Sequence, residues 1–249
     1  MTTLKSLIQY TDQLLNVAAF DDYCPNGLQV EGRGEVSRIV SGVTACQALI
    51  DAAIDAGADL LLVHHGYFWK GEAQPIVGIK QRRIKALLDH DISLLAYHLP
   101  LDAHETLGNN AQLAKLLGLA VDGPLNAAGI GAVGRPEAPL TVDALAERIS
   151  TALQRAPLVI SGGDHPIRRL AWCSGAAQGY IEAAASHGVD AFISGEISEQ
   201  TVHQARELGI HYFAAGHHAT ERYGVQALGE ALAQAFSLEH RFIDIDNPV

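Results

Sequence analysis

The stretch Asp59-Leu60-Leu61-Leu62-Val63-His64-His65-Gly66 decides how the rest of the chain is read. Four consecutive aliphatic residues predict a strand buried on both faces, as in a parallel sheet. The run stops at two histidines and a glycine. In open α/β sheets ligands bind beyond the carboxyl ends of the strands, so His64 and His65 stand where such a fold keeps its chemistry. Successive strand residues point to opposite faces, and two adjacent imidazoles are not expected to serve one position. They suit two different ions, or one ion and one substrate group. Gly66 lets the chain turn sharply and lets a ligand approach the backbone. The alternative is a strand end carrying two partly exposed histidines.

Outward from this strand the chain reads as alternating helices and strands. Thr3 to Ala19 has helical spacing, and Pro25-Asn26-Gly27 is a turn signal. A strand at Ile39–Val43 and a helix from Cys46 to Ala56, stopped by Gly57, lead into Leu60–Val63 and complete a βαβ unit. A helix over 80–89 and a strand over 92–97 follow. That strand ends in His98-Leu99-Pro100-Leu101-Asp102-Ala103-His104, which delivers His98, Asp102 and His104 into a loop. A helix from Asn109 is closed by Gly118. Residues 122–139 are rich in Gly, Pro and Ala and mark the expected boundary between two halves, 1–124 and 125–249. Thr141 is placed as the N-cap of a helix reaching Leu153.

The second half repeats the first. Ser41-Gly42 and Gly57-Ala58-Asp59 recur as Ser174-Gly175 and Gly188-Val189-Asp190, each with a helix between. On this register His64-His65 faces Gly195-Glu196. Glu196 is then either a residue of the site wall or an acid at the N-terminus of the next helix. A strand at Ile210–Ala215 ends in Gly216-His217-His218-Ala219-Thr220-Glu221-Arg222, where His217 and Glu221 share a helical face. The C-terminal residues 241–246 alternate as an edge strand does. Two related α/β halves, interlinked, are the expected fold class.

Composition bounds the function. The 249 residues are 48% hydrophobic and 18% charged, which suits a globular chain. Apolar runs reach only about six residues against the roughly 20 that span a bilayer. The N-terminus carries no apolar signal core, so a cytoplasmic location is expected. Cys24, Cys46 and Cys173 lack CxxC spacing and read as free thiols rather than as a disulfide framework or thiolate zinc site. A net charge of −11 disfavours duplex nucleic acid as a partner. It does not exclude a small anionic substrate, because bound cations invert the local field.

Three strand ends thus offer His64 and His65, Asp102 near His98 and His104, and His217 with Glu221. Imidazole and carboxylate suit zinc, iron, manganese or nickel. Five such ligands are too many for one open catalytic ion and suit two. The segments Val63-His64-His65-Gly66, Tyr97-His98-Leu99-Pro100-Leu101-Asp102 and Gly216-His217-His218-Ala219-Thr220-Glu221 resemble the motifs of the NIF-three-like family. So do Asn26-Gly27-Leu28-Gln29-Val30, Gly108-Asn109-Asn110 and Ser194-Gly195-Glu196.

That family is also labelled type 2 GTP cyclohydrolase I. The resemblance implies a dinuclear metal centre between two interlinked α/β domains, with His64, His65, Asp102, His217 and Glu221 as ligands. It also implies a toroidal homohexamer. The label implies hydrolytic opening of the guanine imidazole ring by a metal-bound hydroxide, with His98 or His104 shuttling protons. No GxxxxGK[ST] loop or basic cluster for a triphosphate is found, and Arg222 and Lys70 are the only phosphate partners near the motifs. The expected activity is a metal-dependent hydrolase of a nucleotide or related heterocycle. The alternative is a non-catalytic protein whose ions stabilise the assembly.

Overall fold

The computed structural model describes residues 1–249. The chain forms two compact units: Met1–Gly108 with Gly224–Ile245, and Asn109–Tyr223 with Asp246–Val249. The first holds β1 (Thr2–Thr3), α1 (Leu4–Leu14), β2 (Gly27–Val30), β3 (Glu35–Val36), β4 (Arg38–Thr44) and α2 (Gln47–Asp55). It continues through β5 (Leu60–His65), α3 (Gly78–Asp89), β6 (Ser93–Ala96) and α4 (Leu99–Ala103). The second holds α5 (Asn109–Leu116), β7 (Leu119–Pro124), β8 (Ala132–Pro136), α6 (Val142–Leu153), β9 (Leu158–Ile160) and β10 (Leu170–Cys173). There follow α7 (Ile181–Ser186), β11 (Ala191–Ser194), α8 (Glu199–Leu208) and β12 (His211–Ala214). Helix α9 (His217–Phe236) begins in the second unit and ends in the first, which β13 (Glu239–Phe242) completes.

The first sheet has the order β13-β4-β5-β6-β2, with β4, β5 and β6 parallel. Its alternation sorts the aliphatic run of β5 into two layers. Leu61 and Val63 pack with Leu49, Ile50 and Ala53 of α2 and Ile84 and Leu87 of α3. Leu60 and Leu62 pack with Leu4 and Leu7 of α1 and with Val225, Leu228 and Leu232 of α9. All four β5 aliphatics are fully buried, so truncating any of them to Ala costs about 2–5 kcal/mol.

The second sheet has the order β7-β8-β10-β11-β12-β9, and β10, β11 and β12 are again parallel. Trp172, Ile193 and Phe213 pack there on Leu145, Ile149 and Leu153 of α6. The duplication extends to a capping device. Asp59 Oδ2 accepts from the amides of Ser37 and Arg38 at 2.8 and 2.9 Å, and Asp190 Oδ2 from those of Arg168 and Arg169 at 2.7 and 2.9 Å. Each carboxylate satisfies amides where the preceding parallel strand begins.

Three sequence expectations are corrected, and one strand is added. The Gly/Pro/Ala-rich stretch is a hairpin joining β7 to antiparallel β8, so the units divide at Gly108 and not at 124. Small residues mark a tight turn there, since a Cβ on Gly131 would lie 3.0 Å from Leu125 and the Trp172 carbonyl. The N-terminal helix stops at Leu14, because Asn16 takes a left-handed φ of 50°. Gly27–Val30 follows the turn as a strand antiparallel to β6. The loop after β6 contains α4, with Pro100 in its first turn, where a missing amide costs nothing. Thr141 caps α6 as expected, accepting from the Ala144 amide at 3.1 Å. All three cysteines are free thiols, and no helix is long and apolar enough to cross a membrane.

Candidate metal centre

In the first unit β5 delivers two imidazoles and the turn into α4 a third. His64 is fully buried, and its Nδ1–H donates to the Tyr97 carbonyl at 2.9 Å. That bond orients the ring and sets Nε2 3.5 Å from Asp102 Oδ2. His65 Nδ1 pairs with Thr44 Oγ1 at 3.2 Å. Asp22 Oδ1 accepts from His98 Nδ1 at 2.7 Å. The ligand atoms of His64, His65 and His98 all lie within 4.8 Å of one another. Strand alternation therefore does not separate the doublet, whose ring centroids are 4.6 Å apart. The reason is local: β5 pairs with β6 only as far as Val63, and beyond it the ladder continues on the β4 side alone.

Asp22 is set deep in hydrogen bonds. Its Oδ2 accepts from the Leu99 amide at 2.9 Å and from Asn26 Nδ2 at 2.8 Å. Burial works to raise this carboxyl, but the bonds from His98 and Asn26, the His98 charge and the Leu99 amide hold it at about 2. Cys24 lies within reach of the same pair. Burial first, and then the Asp22 charge, push its thiol up to about 12.

In the second unit His217 opens α9 and Glu221 stands one turn on. His217 Nε2 lies 3.1 Å from Glu221 Oε2, and its Nδ1 lies 2.7 Å from Glu196 Oε1. Burial opposes charge on this imidazole, but its two carboxylate partners, Glu221 foremost, prevail and raise it to about 9. Glu196 thus stands behind His217, while the cap of α8 is Ser198. Gly175, at φ 68°, makes the space: a Cβ there would sit 2.2 Å from Glu221 Oε1 and 3.2 Å from His217 Nε2. A carboxylate–imidazole pair that draws positive charge, in a cradle that no side chain fills, fits a divalent cation.

A family model described as Duf34/NIF3 (NGG1p interacting factor 3) matches residues 2–248. The chain belongs to the Duf34/NIF3 family. It is 59% identical to a Pseudomonas aeruginosa protein named GTP cyclohydrolase 1 type 2 homolog, over 98% of both chains. It is 53% identical to an Escherichia coli protein of the same name, covering 97% of this chain and 98% of that one. Among solved structures, protein ybgI, titled as of unknown function, matches at 52% identity and a TM-score of 0.97 over the whole of both chains. A Thermus thermophilus protein matches at 34% and 0.91, again over the whole of both chains. Reduced HcgD from Methanocaldococcus jannaschii matches at 26% and 0.85, over 99% of this chain and 98% of that one.

Within this Duf34/NIF3 frame, some expected site residues turn elsewhere. His104 Nδ1 accepts from the amides of Thr106 and Leu107 at 3.3 and 3.1 Å, and its ring lines a cavity of about 470 Å³ with Leu14, Phe20 and Pro100. Arg222 Nη2 donates to the Leu153 carbonyl at 2.6 Å, and Lys70 pairs with Asp21 at 3.5 Å in solvent. Asp22, Thr44, Gly175 and Trp69 escaped the sequence reading. Of these only Asp22, four residues before the turn at Asn26, carried a local hint.

Proposed function

We propose that this Duf34/NIF3 protein is a dinuclear metal-dependent hydrolase acting on a nucleotide or related heterocycle. His64, His65, Asp102, His217 and Glu221 would hold two divalent ions drawn from zinc, iron, manganese and nickel, which imidazole and carboxylate donors suit. One observation supports the reading: His64, His65, His98 and His217 each have Nδ1 engaged by a carbonyl, hydroxyl or carboxylate, an outer partner that fixes how the ring is turned. Such outer partners are the habit of metal-ligating histidines. The name of the relatives, GTP cyclohydrolase 1 type 2 homolog, supports a nucleotide as the substrate class.

When bound, ions of this kind acidify water and polarise an electrophile. The chain's own residues handle the proton. His98 Nε2 takes it up and returns it, and ionised Asp22 at 2.7 Å holds the ring and stabilises its charged form. His104 is left out of this step, since its ring lines the separate cavity with Leu14, Phe20 and Pro100. Fully buried His64 helps keep bulk water from the reacting face. The homohexameric ring implied by the resemblance and the cytoplasmic location expected from the N-terminus belong to the same proposal.

Protein loaded with each of the four metals is assayed against a nucleotide panel beside His65→Ala. Turnover that the variant lacks is expected. No turnover above the variant with any ion, together with a large fall in melting temperature on metal removal, would transfer the site to the non-catalytic role. Sedimentation as a monomer would remove the ring.

A further inference from the structure

Two loops of the first unit meet around His98, and their aromatic side chains have no part in the proton transfer. The Lys70 amide donates to the Tyr23 carbonyl at 2.7 Å and clips loop 66–72 to loop 20–26. The first of these loops is strained: Phe68 takes a φ of 65°, a left-handed conformation that a bulky side chain rarely adopts. The strain presents Trp69. Its indole N–H donates to the Gly66 carbonyl at 3.2 Å and its amide to Glu72 Oε2 at 3.0 Å, so the ring is fixed and its polar edge satisfied. The indole stands 5.0 Å from the His98 ring, nearly perpendicular to it, and 5.9 Å from His65.

From the other loop Tyr23 reaches His98 at 6.3 Å. Its amide donates to Asp22 Oδ1 at 2.6 Å, so its backbone is held on both sides, yet the side chain is 59% exposed. A rigid backbone that leaves a large aromatic ring unpacked beside buried polar groups is organised for a partner. The charged groups nearby pair off, Lys70 with Asp21 and Lys80 with Glu72, and leave no net basic charge. Recognition here falls to a π face and not to a phosphate.

We propose that Trp69 and Tyr23 select the substrate by stacking on the flat heteroaromatic ring of a nucleobase beside His65 and His98. The inference rests on the hydrolase reading for where the substrate sits, and not on turnover. The chain has two tryptophans, and Trp172 is fully buried in the second unit, so a change in tryptophan emission reports on Trp69.

The protein is titrated with guanosine, adenosine, cytidine and uridine, with ribose 5-phosphate as the ring-free probe. Saturable quenching by at least one nucleoside and none by ribose 5-phosphate is expected. By calorimetry, Trp69→Leu weakens that nucleoside at least about fivefold, whereas Trp69→Phe, which keeps a ring but loses the bond to Gly66, stays within about twofold. Unchanged affinity in Trp69→Leu, or failure of all four nucleosides to bind, overturns the proposal. Quenching without turnover upholds the slot and removes only the hydrolase reading. Turnover with nucleoside affinity untouched in Trp69→Leu does the reverse.

Discussion

The two halves of this protein use the same scaffold for different chemistry. β4-α2-β5-α3-β6 and β10-α7-β11-α8-β12 each lay down three parallel strands, and Asp59 and Asp190 do the same capping work in both. Beyond the ladder they diverge. β5 runs out into His64-His65, while β11 runs out into Gly195-Glu196. Yet each half arrives at an imidazole held by a carboxylate at 2.7 Å, His98 on Asp22 and His217 on Glu196. The carboxylate lies before the first parallel strand in one half and after the second in the other. The scaffold fixes where strand ends lie, and the few residues past the last paired position decide what they do.

That division of labour is broken most severely at the proposed ligands. His64→Ala is expected to lower metal affinity by more than about 100-fold, beyond the loss typical of an outer partner. Glu196→Gln, which loosens only the support of His217, is expected to cost about 10- to 100-fold. Calorimetric titration with zinc ranks the two. Equal losses would mean that Glu196 binds the ion itself and that the halves are less different than argued.

The shared capping device comes next. Asp59 serves two amides and pairs with Arg33 at 2.8 Å, whereas Asp190 is less buried. Stranding those amides makes Asp59→Ala cost about 3 kcal/mol and Asp190→Ala about 2 kcal/mol. Scanning calorimetry of both variants tests this, and a silent Asp190→Ala would show that the repeat is geometric without being energetic.

How far the sequence carried this reading depends on range. The β5 strand was legible because four aliphatics in a row leave one economical burial, and the repeat because Ser-Gly and Gly-x-Asp recur at matched spacing. The family motifs sit at strand ends and were legible for the same reason. What escaped depends on partners remote in sequence. Asp22 meets His98 across 76 positions, Thr44 meets His65 across 21, and β2 becomes a strand only by pairing with β6. The 4.6 Å approach of the His64 and His65 rings is not legible either, because the period-two rule holds only while the ladder lasts on both sides. Small residues signal a turn equally within a unit and between units, so they do not locate the boundary.

A smaller effect separates the counterpart helices α3 and α8. Ser198 caps α8, its Oγ accepting from the Thr201 amide at 3.3 Å, while Val77 at the start of α3 makes no such bond. Ser198→Ala is expected to cost about 1 kcal/mol and Val77→Ala less than about 0.5 kcal/mol. Thermal melts of the pair decide, and equal costs would mean that the cap is idle.

The smallest effect lies at the flank of the first sheet. His240 of β13 pairs through Nε2 with Ser41 Oγ at 2.7 Å, and Gly229 of α9 leaves it room, since a Cβ there would sit 2.2 Å from that nitrogen. Burial lowers its basicity below the ordinary 6.5, and the Glu230 charge only partly opposes this. The unfolded chain therefore takes up this proton first as the pH falls. The contribution to stability is complete above about 6.5 and is lost as the pH drops toward the lowered native value. Other histidines titrate in the same window, so the informative quantity is the difference between the wild type and His240→Gln. Melting temperatures compared from about pH 8 to about pH 5 should fall more steeply for the wild type. Parallel curves would mean that β13 accommodates the charged ring by swinging it into solvent, and that this flank is softer than its hydrogen bonds suggest.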